Sequence, residues 1–139
     1  MVQTTVQWIS GKNFVGVDST HHSVVLSAED QGIGVKPSEM LLVALASCTA
    51  VDVVSILEKK RKPLSFLEIT TTGERDSEPP WPFRSINLHY RMRGKELTDA
   101  AVSRTISLSQ EKYCSVAATI RGVATITTSY EILPDQSGE

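Results

Sequence analysis

A long apolar segment, Met40–Leu57, constrains the fold of this 139-residue chain more than any other feature. Ser38 and Glu39 precede it with a capping hydroxyl and a carboxylate, and residues 59–62 follow it with basic side chains. Such groups favour the two ends of a helix, so the sequence predicts one helix from about Ser38 to Lys60. Apolar residues lie on almost every face of it, and such a helix must be covered all round. A single domain of this size offers too little material for that, which predicts a homodimer.

The same segment is almost long enough to cross a bilayer. Asp52 lies in the middle of it, however, and a carboxylate is costly at the centre of a membrane. The N-terminus lacks the basic start, apolar core and cleavage site of a signal peptide. We therefore expect a buried central helix, no membrane span and a cytoplasmic protein. Thiols are kept reduced in that compartment, so a permanent structural disulfide is not expected.

The composition is that of one globular domain, predicted to cover residues 1–139. Hydrophobic residues make up 40% and charged residues 22% of the chain, and the net charge is −2 without an extended basic patch. These values predict no nucleic-acid partner. No Cys and His spacing matches a zinc site, and the sequence contains no phosphate-binding loop or dinucleotide fingerprint. We expect neither a metal nor a cofactor.

Apolar periodicity and turn residues predict an α+β fold, because strands and helices are segregated along the chain. The predicted strands are a hairpin within Val2–Val17, then Ser23–Ser27, Leu67–Arg75, Ser85–Arg93 and Gly122–Ile132. The predicted helices after the long one are Thr98–Tyr113 and Cys114–Ile120. Strict alternation of apolar and polar residues from Ile86 to Arg93 indicates a strand with one buried face.

Cys48 and Cys114 are the only cysteines, 66 positions apart, and each falls on a predicted helix. In a reducing compartment two cysteines indicate either reactivity or plain burial. Cys114 lies at a helix start, where free amide groups would lower its pKa, so the residues alone favour it as the nucleophile. Cys48 lies mid-helix and needs a nearby cation or hydrogen bonds to become a thiolate. The pair predicts a two-thiol redox site, with one sulfur that attacks and one that resolves.

Three carboxylates lie close in sequence to the two thiols. Asp52 follows Cys48 by one turn on the same face, where its charge would raise the pKa of the thiol. Glu39 lies on the opposite face of a straight helix, so it is either a site residue across the fold or dimer, or a helix-start carboxylate. Glu111, three residues before Cys114, is either a neighbour of that thiol or a solvated side chain.

The chain resembles the OsmC/Ohr family of organic hydroperoxide-reducing proteins over essentially its whole length. The motifs are Pro37-x-Glu39 entering the apolar helix, Ala46-Ser-Cys48-Thr inside it, and Tyr113-Cys114-Ser-Val after the second helix. Within that family it resembles the YhfA-like branch more closely. That similarity is carried by Val51-Asp-Val-Val-Ser-Ile-Leu, Ile86-Asn-Leu-His, Asp99-Ala-Ala-Val and Leu108-Ser-Gln-Glu-Lys-Tyr-Cys-Ser-Val-Ala.

The resemblance implies an OsmC-like fold, an intertwined homodimer with long central helices flanked by antiparallel sheets. It also implies that Cys48 is the peroxidatic thiol, that Cys114 is the resolving thiol and that Glu39 belongs to the site. The implied activity is a cysteine-based peroxidase that reduces organic hydroperoxides in oxidative-stress defence. A peroxide substrate and a dithiol reductant are then the expected partners.

Two positions depart from the activation network of the family's well-studied peroxidases. Those enzymes hold the thiolate with an arginine from the N-terminal strand region, whereas the first arginine here is Arg61. Their partnering glutamate falls ten residues before the cysteine, where this chain has Ser38, with Glu39 one position on. Arg75 and Arg84, from the same chain or from the partner chain of the dimer, are the candidates to replace the missing cation.

Two other functions fit parts of the sequence. A non-enzymatic dimeric module would hold a small apolar ligand in the same cleft, and its Cys48 would have an ordinary or raised pKa. An acyl hydrolase would use Cys48 as nucleophile and His89 as base, but no Asp or Asn partner for that histidine is evident.

Overall fold

The structure, a computed structural model, describes residues 1–28, 30 and 32–135. Contacts group the chain into two compact units, Met1–Leu41 and Leu42–Glu139, and the boundary falls inside the long helix. Each unit contains a three-stranded sheet, and the helices that follow the first sheet complete the α+β class that the sequence predicts. The single domain over residues 1–139 stays a prediction.

The first unit is an antiparallel sheet of β1 (Thr5–Ser10), β2 (Asn13–Val17) and β3 (Ser23–Ser27), in that order. The predicted hairpin and third strand are confirmed. Gly11 has a φ of 53° in the tight turn between β1 and β2, a backbone conformation that costs glycine little. Every residue of β1 is exposed, including Trp8 and Ile9.

The long helix, α1, covers Pro37–Lys59, within one residue of its predicted ends. Proline fits the first turn because the amide hydrogen it lacks would have no partner there. The buried residues of α1 recur every four positions and form one face: Leu45, Thr49, Val53 and Leu57. Other apolar residues of α1 stay exposed, among them Val51 at 65% exposure. The chain by itself therefore covers only part of this helix.

Length and composition would allow α1 to cross a membrane, because its mean hydropathy is 2.2 over an 18-residue window. Only 22% of that window is buried within the chain. A single helix of this kind is weak support for a membrane span, since the core helix of a soluble protein satisfies the same condition.

The second sheet has the order β4 (Leu64–Arg75), β5 (Phe83–Gly94) and β6 (Thr125–Ile132). The alternation predicted for β5 is confirmed, and its buried face carries Ile86, Leu88, Tyr90 and Met92. β4 and β5 pair antiparallel, but β6 runs parallel to β5. The expectation of wholly antiparallel sheets is therefore wrong for this sheet. The chain crosses over through helices between β5 and β6, and such a crossover connects parallel strands.

The segment between β5 and β6 contains α2 (Asp99–Leu108), a π turn (Ser109–Tyr113) and α3 (Ser115–Ile120). The predicted helix does extend to Tyr113, but its last five residues have π rather than α geometry. There the backbone widens, and Cys114 N–H donates to the carbonyl oxygen of Ser109 at 2.8 Å, five residues back. Single π turns occur frequently at functional sites.

Candidate functional site

The fold brings the two cysteines together from separate elements of the second unit. Cys48 lies in the middle of α1 and is half-buried, whereas Cys114 joins the π turn to α3 and is only 2% exposed. Both thiols are free, and Cys114 is hydrogen-bonded to the sulfur of Cys48. The pairing of two thiols in one site follows from this geometry.

Hydrogen bonds to the sulfur of Cys48 favour its thiolate. Burial is the largest single influence and opposes the charged form. It is outweighed by hydrogen bonds from the Cys114 thiol, the Val116 backbone N–H and the Ser115 side chain, so the pKa of Cys48 is lowered. Asp52 acts in the opposite direction by charge repulsion, as its position one turn along α1 predicts. Each of the three donors comes from the start of α3.

Cys114 has the opposite titration behaviour. Burial, together with the hydrogen bond to Cys48, raises the pKa of Cys114 to about 11. Ala117 N–H donates to its sulfur at 3.3 Å and offsets only part of this effect. The lowered pKa that its helix-start position predicts for Cys114 is therefore wrong, because burial and the neighbouring sulfur outweigh the backbone donors Ala117 and Val116. The assignment of Cys48 as the attacking thiol agrees with the two pKa directions.

A buried chain of hydrogen bonds lies beside the thiols. Thr49 Oγ1 is 2.8 Å from Tyr90 Oη and 2.7 Å from Ser109 Oγ. Ser109 Oγ donates to Asp52 Oδ2 at 2.8 Å, and Gln110 Nε2 donates to Tyr90 Oη at 3.3 Å. Thr49, Tyr90 and Ser109 have no exposed surface. In the described part of the chain, no buried side-chain nitrogen or oxygen lacks a hydrogen-bond partner.

Sequence reasoning missed this chain of hydroxyl groups. One signal was available: Thr49 occupies a position in the series Leu45, Val53 and Leu57, so it is a polar residue on the buried face of α1. A buried hydroxyl requires a partner, and that partner had to come from another element. The sequence does not say which element, because Ser109 and Tyr90 lie far from Thr49 along the chain.

A cleft of about 390 Å³ opens next to this region. Its walls include Asp52 and Ile56 of α1, Leu108 at the end of α2, and Tyr113, the residue before Cys114. Lys60 also contributes to it. The wall is largely apolar but also carries charged groups, including Asp52 and Lys60. Such a cleft suits a small molecule with an apolar body and a polar end.

The candidate cations lie at the connection between β4 and β5. Arg84 Nε is 3.2 Å from Asp76 Oδ2, and the guanidinium carbon of Arg75 lies 4.7 Å from the centroid of the Phe83 ring. Within the described residues, the groups with the largest influence on the pKa of Cys48 include no cation. The replacement of the missing cation by Arg75 or Arg84, of this chain or of a partner copy, stays a prediction.

The predicted carboxylates have separate surroundings. Glu39 lies in the exposed first turn of α1, with its Oε2 3.9 Å from Lys36 Nζ. Its membership of the site stays a prediction. Glu111 is exposed in the π turn.

The position of His89 argues against the acyl-hydrolase alternative. His89 Nδ1 is 2.8 Å from Ser129 Oγ, and its Nε2 is 3.4 Å from Glu131 Oε2. His89 and Tyr90 are successive residues of β5, so they point to opposite faces of the sheet. Tyr90 belongs to the hydroxyl chain beside the thiols, which places His89 on the other face. Within residues 1–28, 30 and 32–135, no group of three or more Cys, His, Asp or Glu is arranged to hold a metal.

Comparison with known proteins gives consistent matches. A family model described as OsmC-like protein matches residues 28–129. Protein YhfA of Escherichia coli (strain K12) is 41% identical over 132 residues, which covers 95% of this chain and 98% of that protein.

Solved structures extend the similarity. The crystal structure of a hypothetical protein from Aquifex aeolicus VF5 is 28% identical, covers 96% of each chain and superposes with a TM-score of 0.85. The organic hydroperoxide resistance protein OhrB of Bacillus subtilis is 13% identical, with a TM-score of 0.62 over 94% of this chain and 98% of that one. At that identity the second match indicates a shared fold alone.

Proposed function

Because this chain belongs to the OsmC-like family, we propose that it is a thiol-dependent peroxidase that reduces organic hydroperoxides in oxidative-stress defence. The observation that supports the proposal best is the pair of hydrogen-bonded thiols with opposite pKa shifts. A thiolate is the nucleophilic form of cysteine, so the lowered pKa suits Cys48 to attack. The raised pKa keeps Cys114 protonated until its partner has reacted.

The proposed reaction has two steps and a reset. The Cys48 thiolate attacks the terminal oxygen of the hydroperoxide, the O–O bond breaks, and the leaving alkoxide takes a proton to become an alcohol. Cys48 is then a sulfenic acid. The sulfur of Cys114 attacks the sulfur of Cys48, the S–O bond breaks, and the hydroxide leaves as water with the proton of Cys114. An external dithiol reduces the resulting disulfide to two thiols.

The start of α3 replaces the cationic activation used by other family members. Hydrogen bonds stabilise the charged form of a sulfur as a nearby cation does. Here the Cys114 thiol, the Ser115 side chain and the Val116 N–H supply them. The apolar cleft beside Asp52 and Tyr113 supports a preference for peroxides with an organic body.

A homodimer in the cytoplasm, each copy a single domain over residues 1–139, completes the proposal. Exposed apolar side chains on α1, Val43, Val51 and Val54, support a second copy as the covering partner. Trp8 and Ile9 of β1 are exposed as well. Glu39 remains a predicted site residue, and Glu39→Gln tests it by the rate of peroxide reduction.

The test mixes the reduced protein with one equivalent of cumene hydroperoxide and follows its intact mass and free thiols. We expect the loss of two hydrogens and of both thiols within seconds to minutes. Cys48→Ser should keep its remaining thiol, whereas Cys114→Ser should complete one turnover and then over-oxidise at Cys48. Ser103→Ala, an exposed change on α2, is the matched control. Unchanged mass and two retained thiols in the wild-type protein would contradict the proposal.

One observation favours a second function, a dimeric module that binds a small apolar ligand. The main influences on the pKa of Cys48 include no cation, and the cleft has room for such a ligand. This alternative predicts no reaction with the peroxide and slow alkylation of both thiols, and the lowered pKa of Cys48 argues against it.

A further inference from the structure

Ser109 makes direct contacts to the segments that carry both cysteines. Its carbonyl oxygen accepts from Cys114 N–H at 2.8 Å, the bond that closes the π turn. Its side chain contacts Thr49, the residue after Cys48, and Asp52, one turn further along α1. One fully buried residue therefore connects the backbone at the resolving thiol to the helix of the attacking thiol.

Counting hydrogens gives the direction of every bond in the hydroxyl chain. Ser109 Oγ donates to Asp52 Oδ2, so the single hydroxyl hydrogen of Ser109 is used in that bond. Thr49 must then donate to Ser109, and Tyr90 must donate to Thr49. Gln110 donates an amide hydrogen to Tyr90. Burial raises the pKa of Tyr90, so its phenol keeps the hydrogen that it donates.

The chain therefore runs in one direction, from Gln110 through Tyr90, Thr49 and Ser109 to Asp52. Two members of the chain, Gln110 and Ser109, belong to the π turn, and its last member, Asp52, belongs to α1. Hydrogen bonds in a buried chain polarise one another, and a fully satisfied chain selects one arrangement of its elements. While these hydrogen bonds are made, they fix the position of Cys114, at the end of the π turn, relative to α1.

We propose that Ser109 is a positioning residue that holds Cys114 in line for attack on oxidised Cys48. This inference rests on the proposed function only in naming Cys114 as the resolving thiol. Attack of one sulfur on another requires close approach in the right direction, and a displacement of about 1 Å can slow such a step by about a hundredfold. Ser109 hydrogen-bonds to Thr49, to Asp52 and to the N–H of Cys114, so it acts through the backbone of the π turn.

The test separates the two sulfur reactions without a peroxide. The reduced protein is mixed with less than one equivalent of the aromatic disulfide dithiobis-nitrobenzoate, and release of the coloured thiol is followed by stopped flow. Attack by Cys48 releases one equivalent and leaves a mixed disulfide. Attack by Cys114 on that disulfide releases the second equivalent and leaves the intramolecular disulfide, which intact mass identifies.

Ser109→Ala should leave the first phase within about twofold of wild type and slow the second about tenfold. Thr49→Val, which removes a hydroxyl at nearly constant volume, should slow the second phase in the same way. Thr49→Ser keeps the hydroxyl, so its second phase should be as fast as that of wild type. Circular dichroism checks that each variant is folded. Should Ser109→Ala not fold, the two Thr49 variants decide.

Three outcomes would overturn the proposal: an unchanged second phase in Ser109→Ala, an equal slowing of both phases, or no second phase in the wild-type protein. The peroxidase proposal is judged separately by cumene hydroperoxide. A wild-type protein inert to peroxide but with a Ser109-dependent second phase would refute the peroxidase and retain the role of Ser109.

Discussion

Cys48 and Cys114 share one hydrogen bond, yet their surroundings shift their pKa values in opposite directions. Cys48 accepts from groups at the start of α3 and is only half-buried. Cys114 occupies the N-cap of the same helix, the position that should favour a thiolate, but it is buried and gives its hydrogen to Cys48. The comparison teaches that the number of donors at a sulfur, set against its burial, decides which thiol ionises.

Single-cysteine variants give the largest expected difference. In Cys48→Ser, burial still raises the pKa of Cys114, so alkylation of Cys114 by iodoacetamide should become half-maximal only above the pH expected for an ordinary thiol. In Cys114→Ser, the serine keeps a hydroxyl that can donate to Cys48. Alkylation of Cys48 should therefore become half-maximal at a pH below the pKa of an ordinary thiol. With a pKa of about 11, the thiolate fraction of Cys114 at pH 8 is on the order of 10⁻³. If the two variants were alkylated with the same pH dependence, the two thiols would not differ in pKa and the comparison would fail.

Ser115→Ala should produce a smaller change, confined to Cys48. Removal of a hydroxyl that hydrogen-bonds to the sulfur raises the pKa of Cys48, so less thiolate is present at any pH below that value. One net hydrogen bond at an exposed residue corresponds to a rate of alkylation about threefold lower. Ser115→Thr keeps the hydroxyl and serves as the matched control. If Ser115→Ala were alkylated as fast as wild type, Ser115 would have no part in lowering the pKa of Cys48.

Asp52→Asn should have the smallest effect, and in the opposite direction. The charge of Asp52 raises the pKa of Cys48, and asparagine removes that charge while keeping an oxygen that can accept from Ser109. Alkylation of Cys48 below its pKa should therefore become faster, by less than about twofold at this exposure. The pH profile of the Cys114→Ser background measures it. A slower reaction would mean that Asp52 supports the thiolate through the hydroxyl chain.

Much of the fold could be predicted because it depends on local periodicity. The ends of α1 and the alternation of β5 follow from the spacing of apolar residues, and both are confirmed. The π turn at Ser109–Tyr113 could not be predicted, since one extra residue per turn leaves no clear mark on an apolar pattern of period 3.6. The parallel direction of β6 depends on where the chain crosses over, a property of the whole unit.

The candidate site, too, was only partly predictable from the sequence. The presence of two thiols, their surroundings in sequence and the family motifs identified Cys48 and Cys114. The donors at Cys48, the hydroxyl chain and the role proposed for Ser109 come from residues far apart in sequence. Arg75 and Arg84 are candidates by charge alone, and each contacts a neighbour in the β4–β5 segment of its own chain, so their role at a thiol stays a prediction.

The sequence by itself determined the long apolar helix, the α+β class, the family and the two cysteines, because these depend on local pattern and residue identity. Only the tertiary structure decided which thiol ionises more readily. The pKa of a thiol depends on its burial and on the donors within hydrogen-bond distance, and for Cys48 those donors lie more than sixty residues along the chain. Folding places the start of α3 against α1, and that contact makes the two cysteines unequal.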